Sequence, residues 1–277
     1  MKHAFTVDVE DWFHGIPVPA AFKESAEARL ERGLLPLLDL MDDAGAKGTF
    51  YVLGPCAVRH PELVREIARR GHEIGSHGWS HDLVYEMTPE RFRDETKRSM
   101  DVVGELTNRA IRTYRAAYFS ITKRSWWALE ELAKLGITTD SSIFPVHNWR
   151  YGIPGFSQSP TVLETAAGNV LEIPLGVRGM AGRELPITGG AYLRLYPYLL
   201  TRANMRWVER QGRKNVFYIH PWELDPEQPR VPFHWKARLT HYANLRSTEG
   251  KLKRVLADFE FGTVAEVFGN GRADSHS

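Results

Sequence analysis

Apolar positions along the chain alternate between a period of two and a period near 3.6. Phe5, Val7 and Val9 interleave with Thr6, Asp8 and Glu10, which predicts a buried first strand ending in acid. Period two puts Asp8 and Glu10 on one face, with Asp11 just past the strand end. Leu30, Leu34, Leu37, Leu38 and Met41 then mark a helical face over residues 25–41, with Pro36 as an expected kink and Gly45 as the stop. A second strand is expected over 47–53, a helix over 61–70 stopped by Gly71, and a third strand running into His77. Thr88 and Pro89 supply an N-cap and a first-turn proline, and Phe92, Thr96, Met100 and Val103 give the buried stripe of the long helix that follows. Short strands at 112–114 and 137–139 flank a helix at 122–135. A last strand at 216–219 follows a helix at 196–211, and Leu252, Val255, Leu256 and Phe259 line a C-terminal helix. Strand and helix in alternation are the pattern of parallel βαβ units. Between 144 and 190 that pattern gives way to Pro, Gly and aromatic residues, with one hairpin pairing 162–164 with 170–173. Irregular stretches of that length in a compact domain are usually functional.

Residues with chemistry gather at the strand ends. Asp8 and Glu10, His77 and His81, Arg115, Asp140 and His220 all follow the C-terminal ends of predicted parallel strands. In a β/α barrel that face carries the active site. His77 and His81, three residues apart, make half a metal site, since zinc-like ions take imidazole and carboxylate and keep one position open. Gly78 occupies the slot where a zinc protease needs Glu, which excludes that class. Alone, the pair also fits ordinary turn histidines, and Asp11 also fits a cap on the next segment. Adjacent acids at a strand terminus call for a cation or a shared proton.

Composition narrows the rest. At 277 residues, 43% hydrophobic and 25% charged, the chain suits a single globular domain. The lone Cys56 excludes an internal disulfide and a cysteine-based zinc knuckle, so any metal must use His and carboxylate. A net charge of +2 gives no case for nucleic acid. Arg202, Arg206, Arg210 and Arg213 recur at helical spacing, either as a solvated face or as a strip for an anionic partner such as pyrophosphate or a lipid headgroup. No apolar run reaches signal-peptide length or the ~20 residues of a membrane span, and the chain is expected in the cytoplasm. Eight Trp and thirteen Phe exceed what packing demands, and aromatic rings on loops suit the apolar faces of sugars.

Ordered motifs now carry a family resemblance. They are Thr6-Val7-Asp8-Val9-Glu10-Asp11-Trp12-Phe13, the His77–His81 pair, Tyr114-Arg115-Ala116-Ala117-Tyr118-Phe119-Ser120-Ile121, Asp140-Ser141-Ser142-Ile143-Phe144-Pro145 and His220-Pro221-Trp222-Glu223-Leu224-Asp225-Pro226. On these the chain resembles the polysaccharide deacetylase superfamily, the NodB-homology or carbohydrate esterase family 4 proteins, from about Phe5 to Glu223. It is similar to the branch encoded beside exosortase and exopolysaccharide loci, whose C-terminal extension is resembled from His241 to Phe268. The resemblance implies an α/β fold, a distorted (β/α)7 barrel over residues 1–231, a short helical extension packed on it over 232–268, and a disordered tail over 269–277.

It also implies roles. Asp8 would be the general base, held by Arg115; His220 the general acid; the Tyr118 N–H a donor to the oxyanion; and His77 and His81 ligands to a divalent metal, zinc. The commonest family pattern has adjacent acids, where this chain has Val9, but a sister branch uses Asp-x-Asp, and Asp8-Val9-Glu10 matches that spacing. Glu10 is thus the expected metal carboxylate, with Asp11 in reserve. Ala117 replaces the usual Pro, and Ile143 replaces an Asp that tunes the catalytic His in many members. Trp12, Trp79, Trp149 and Trp222 are expected to ring the sugar. The implied reaction is removal of N-acetyl groups from a saccharide, free or lipid-linked, the latter met at the inner face of an anionic membrane. Two rivals remain: a cyclic-amide hydrolase similar to the allantoinase relatives, and a carbohydrate-binding protein without turnover.

Overall fold

In the computed structural model, which describes residues 1–148, 150–180, 183–232 and 234–269, one sheet holds a path of seven parallel strands, with an eighth parallel strand and one antiparallel strand joined to it. In chain order the strands are β1 (Lys2–Val9), β2 (Thr49–Val52), β3 (Glu73–Ser76), β4 (Thr113–Tyr114), β5 (Thr139–Asp140), β6 (Thr161–Thr165), β7 (Gly168–Glu172), β8 (Val177–Met180), β9 (Arg183–Pro186), β10 (Val216–Ile219) and β11 (Glu260–Gly262). The helices are α1 (Ala20–Ser25), α2 (Leu30–Asp43), α3 (Gly54–Arg59), α4 (Pro61–Arg69), α5 (Pro89–Thr107), α6 (Ala128–Lys134), α7 (Gly190–Leu195), α8 (Tyr198–Arg210), α9 (Trp235–Tyr242), α10 (Thr248–Asp258) and α11 (Val264–Phe268).

The parallel order is β10-β1-β2-β3-β4-β5-β7, with β6 antiparallel on the outer edge of β7 and β11 beside the start of β1. No ladder joins β7 to β10 among the described residues, so the seven-stranded α/β barrel is open at one seam. The short hairpin β8–β9 and helix α7 occupy the sequence between those two strands. The strands' C-terminal ends therefore converge on one end of the barrel, and with them Asp8, His77, Arg115, Asp140 and His220.

Two expectations shift at the second helix. It starts at Leu30 rather than 25, after the separate turn α1, because Asp11 reaches across to cap it: its Oδ2 accepts the N–H of Arg29 at 2.9 Å and of Leu30 at 3.3 Å. It then runs unbroken through Pro36, which is exposed, so the lost N–H and the ring fall on the solvent side. Gly33 on the inner side is required by close approach, since a Cβ there would lie 1.9 Å from the Pro221 carbonyl oxygen. That contact seats the turn after β10, and His220 with it, against α2. The helix expected over 122–135 divides into a 3-10 turn at Lys123–Ser125 and α6.

The C-terminal extension is woven into the barrel. Residues of β11 pair in parallel with Lys2, His3 and Ala4, and Tyr242 and Leu245 join Trp12, Phe13, Ile16 and Trp222 in one buried apolar cluster. Of the expected tail, residues 270–277 lie outside the described residues, as does Trp149.

Candidate metal centre and active site

Glu10, His77 and His81 form a cluster in which one ligand atom from each lies within 4.8 Å of the others, all three buried. Glu10 Oε2 stands 2.5 Å from His81 Nε2, yet out of line for a hydrogen bond, and neither Glu10 Oε2 nor His81 Nδ1 has a hydrogen-bond partner among the described residues. His77 donates its Nδ1–H to the Arg115 carbonyl at 2.8 Å, which fixes the tautomer and leaves Nε2 as a lone-pair donor. Burial pushes the His77 imidazole down to about 4, so it is neutral, as a ligand must be. Burial works against the charge of Glu10, but the imidazoles of His81, His220 and His77 hold its carboxyl well below the usual carboxylate range. Two imidazoles and one carboxylate are the donor set of an open zinc-type site, and the orphaned, inward-facing Glu10 oxygen fits such an ion. Asp11, the reserve ligand, is not in the cluster, because the backbone N–H groups of Trp12, Arg29 and Leu30 engage its carboxylate.

Beside the cluster, Asp8 is held by a buried guanidinium. Arg115 Nη1 donates to Asp8 Oδ1 and Thr6 Oγ1 at 2.8 Å each, Nε to the Ser141 carbonyl at 3.0 Å and Nη2 to Ser141 Oγ at 2.9 Å. Asp8 Oδ2 is left facing His220 Nε2 at 3.9 Å. Behind Arg115, Asp140 meets a partner that the sequence did not point to, Glu172. Asp140 and Glu172 are register partners on β5 and β7, both wholly buried, and Asp140 Oδ2 and Glu172 Oε2 each lack a hydrogen-bond partner. Their other oxygens are taken, Asp140 Oδ1 by the Ser142 hydroxyl at 2.5 Å and Glu172 Oε1 by the Ile143 N–H at 2.9 Å. Burial raises Asp140 to about 6, and burial together with the Asp140 charge raises Glu172 well above the usual range. The two carboxyls are thus both driven toward the protonated form and are placed to share a proton. The pair secures the Ser141–Ser142 turn that grips Arg115 and accepts the Ala116 N–H.

His220 is tuned from a direction that Ile143 hides. Its Nδ1–H donates to Glu223 Oε1 at 2.8 Å, and Glu223 Oε2 accepts from Arg194 Nε at 2.6 Å. Burial disfavours the imidazolium, but the Glu223 hydrogen bond and the charges of Glu10, Glu223 and Asp8 prevail and raise His220 to about 9. Glu223 itself, despite burial, is drawn down to about 2 by Arg194 and His220. Arg194 also donates to the carbonyls of Thr240, His241 and Ala243, which clamps the C-terminal extension to Glu223, the partner of His220. The signal for Glu223 was present three residues after His220; that for Arg194 was not, since its partners lie 29 or more residues away.

The tryptophans divide. Trp12 is 1% exposed, donates its Nε1–H to the Glu27 carbonyl and packs in the apolar cluster, so it presents no face to a sugar. Trp79 is half-buried under the Arg98 guanidinium and against Gly54, and does not line the cavity over the cluster. Trp222 does reach the site, but it stacks between His220 and His241 and donates Nε1–H to Glu10 Oε1 at 3.2 Å, which orients the Glu10 carboxylate. Tyr118 takes a left-handed backbone (φ 54°), rare for a non-glycine residue and typical of functional turns, and its ring faces His81 at 4.7 Å. The arginine strip is largely engaged locally: Arg202 with Asp258, Arg206 with Glu209, Arg213 with Gln158. A cavity of about 240 Å³ lies over the cluster, lined by Asp8, Glu10, His220 and Tyr151 and, from α9 of the extension, Ala237 and Thr240.

Comparison with known proteins bears on this geometry. Residues 33–139 match the family model described as polysaccharide deacetylase, and residues 141–269 match one described as a domain of unknown function, DUF3473. Among curated proteins, the chain is similar to a peptidoglycan-N-acetylglucosamine deacetylase of Bacillus cereus, 29% identical over 96 residues, 34% of this chain and 35% of that one. It is also similar to chitin deacetylase 1 of Cryptococcus neoformans, 30% identical over 88 residues, 32% of this chain and 19% of that one. The chain thus matches well under half the length of these relatives. Among solved structures, a candidate polysaccharide deacetylase from Mycobacterium smegmatis superposes with a TM-score of 0.70 at 23% identity, covering 99% of this chain and 91% of that one. A family 4 carbohydrate esterase from Streptomyces lividans gives 0.53 at 14%, covering 97% and 95%. At these identities the structural likenesses bear on the fold.

Proposed function

We propose that this chain, which belongs to the polysaccharide deacetylase superfamily, is a metal-dependent N-deacetylase that removes acetyl groups from amino sugars of a polysaccharide or of its lipid-linked precursor. The observation that carries the reading is the approach of Glu10 Oε2 to His81 Nε2 at 2.5 Å with no hydrogen bond between them, beside His77 and within reach of Asp8 and His220. A buried carboxylate and two imidazoles converging at that range fit a shared cation. Glu10, His77 and His81 would hold a divalent ion, zinc by the donor set, which would supply Lewis acidity toward the acetamide carbonyl and the water.

The chain's own groups supply the rest. Asp8, fixed through Oδ1 by Arg115, takes the water's proton on Oδ2. The Tyr118 N–H steadies the oxygen charge that develops on the carbonyl. His220, held near 9, is protonated at neutral pH and delivers that proton from Nε2 to the departing amine. Acetate and a free amino sugar leave.

No helix among the described residues is long and apolar enough to cross a membrane. We place the encounter with a lipid-linked substrate at the inner leaflet, by peripheral contact, and liposome flotation at low and high salt tests that placement. The activity is tested by acetate release from N-acetylated oligosaccharides before and after exhaustive chelation and zinc re-addition. Release that survives complete metal removal, or sugar binding with no acetate from any substrate, overturns the reading.

A further inference from the structure

A second cavity, about 260 Å³, adjoins the first: Arg150 and Tyr151 stand in the walls of both. Its other walls come from Tyr85, the Thr122–Arg124 turn and Asn148. These walls are anchored. Tyr85 donates its hydroxyl to the Arg150 carbonyl at 2.9 Å, Ile153 N–H bonds the Phe144 carbonyl at 2.9 Å, and the Tyr151 ring stacks on Phe144. Gly152 turns the wall at φ 99°, where a Cβ would meet the Val146 carbonyl oxygen at 2.3 Å.

The charge in this cavity has one sign. Lys123, Arg124 and Arg150 line it, and no carboxylate does among the described residues. Lys123 and Arg124 are exposed and form no ion pair with a described carboxylate, and the Arg124 guanidinium lies over the Tyr85 ring, 4.5 Å from its centroid. Glu86, whose charge acts on Tyr85, is exposed and outside the lining. The arrangement joins an aromatic platform for a sugar face to cations for a carboxylate or phosphate. Its volume suits one monosaccharide, and its shared wall places it beside the cavity over the Glu10–His77–His81 cluster.

Resting on the proposed deacetylase reading, we propose that this cavity is a subsite for an anionic group next to the N-acetylated sugar, so that the substrate class is acidic: a uronate-bearing saccharide or a sugar diphosphate. The test is titration calorimetry on the zinc-loaded full chain with three probes: a tetrasaccharide alternating N-acetylglucosamine and glucuronate, a neutral N-acetylglucosamine tetrasaccharide, and UDP-N-acetylglucosamine. Wild type should bind one acidic probe about tenfold tighter than the neutral one at low salt, from two partly exposed ion pairs. The preference should shrink as salt rises. Lys123→Ala/Arg124→Ala should abolish it while leaving neutral-probe affinity and acetate release from the neutral probe unchanged. Whichever acidic probe shows the effect names the source of the anion. Equal affinity for acidic and neutral probes, or a preference that persists in the double variant, overturns the subsite. A wild type that shows the preference but releases no acetate from any probe overturns the deacetylase reading alone.

Discussion

Replacing Glu172 with Gln should make the protein more stable relative to wild type as pH rises, by an amount set by the shared proton behind Arg115. In the unfolded chain Asp140 and Glu172 ionise near 3.8 and 4.5. In the folded chain Asp140 is raised to about 6 and Glu172 well above its ordinary value, so the native state binds more protons. Stability from this pair is therefore highest below pH 4 and falls as pH rises through the folded values. Keeping Glu172 neutral at pH 7 costs about 3 kcal/mol, the free energy of protonating an ordinary glutamate there. Gln is neutral without that cost. It can still accept the Ile143 N–H through its oxygen and donate an amide N–H to Asp140 Oδ2 in place of the shared proton. Urea unfolding of both proteins at steps from pH 4.5 to 8 should show the stability difference moving in favour of Glu172→Gln by about 1.4 kcal/mol per pH unit for as long as the native Glu172 stays protonated. Acetate release should persist, since the Ser141–Ser142 grip on Arg115 is retained. Parallel stability curves would show that no proton is shared and refute the reasoning. Glu172→Leu serves as the contrast: by stripping Asp140 of its proton partner it should destabilise at every pH, by about 1–3 kcal/mol or more.

Three further outcomes follow from the site. His77→Ala and His81→Ala should each lose bound metal, measured by elemental analysis after dialysis, while circular dichroism stays native; full occupancy in the double variant would remove these residues as ligands. Asp8→Asn should keep its metal and lose about 10²- to 10⁴-fold in kcat, and wild-type turnover would move the base elsewhere. Glu223→Gln removes the strongest influence raising His220, so the alkaline limb of kcat should move down from about 9 toward the ordinary 6.5. An unmoved limb would mean that Glu223 does not tune the acid.

The sequence by itself determined much of this protein because the local signals were strong. The Thr88–Pro89 cap and the stripe through Phe92, Thr96 and Val103 specify α5 without outside help: Thr88 Oγ1 accepts the Arg91 N–H, and the stripe is buried. Period two in β1 put Asp8 and Glu10 on one face, and both line the cavity. The strand-end rule gathered His77, Arg115 and His220, because parallel strands must end together. What only the tertiary structure decided are contacts with no local code. Asp11 and Glu10 are one residue apart and equally acidic, yet the start of α2, 18 residues away, claims Asp11 and leaves Glu10 to the histidines. Trp12 and Trp222 look alike as aromatic motif residues, and packing buries the first and turns the second onto Glu10. Glu172 becomes a proton partner only because β7 lies in register with β5, and Arg194 reaches Glu223 and the α9 carbonyls across the open seam of the barrel. Each of these outcomes depends on which distant group satisfies a buried charge, and burial is a property of the folded chain.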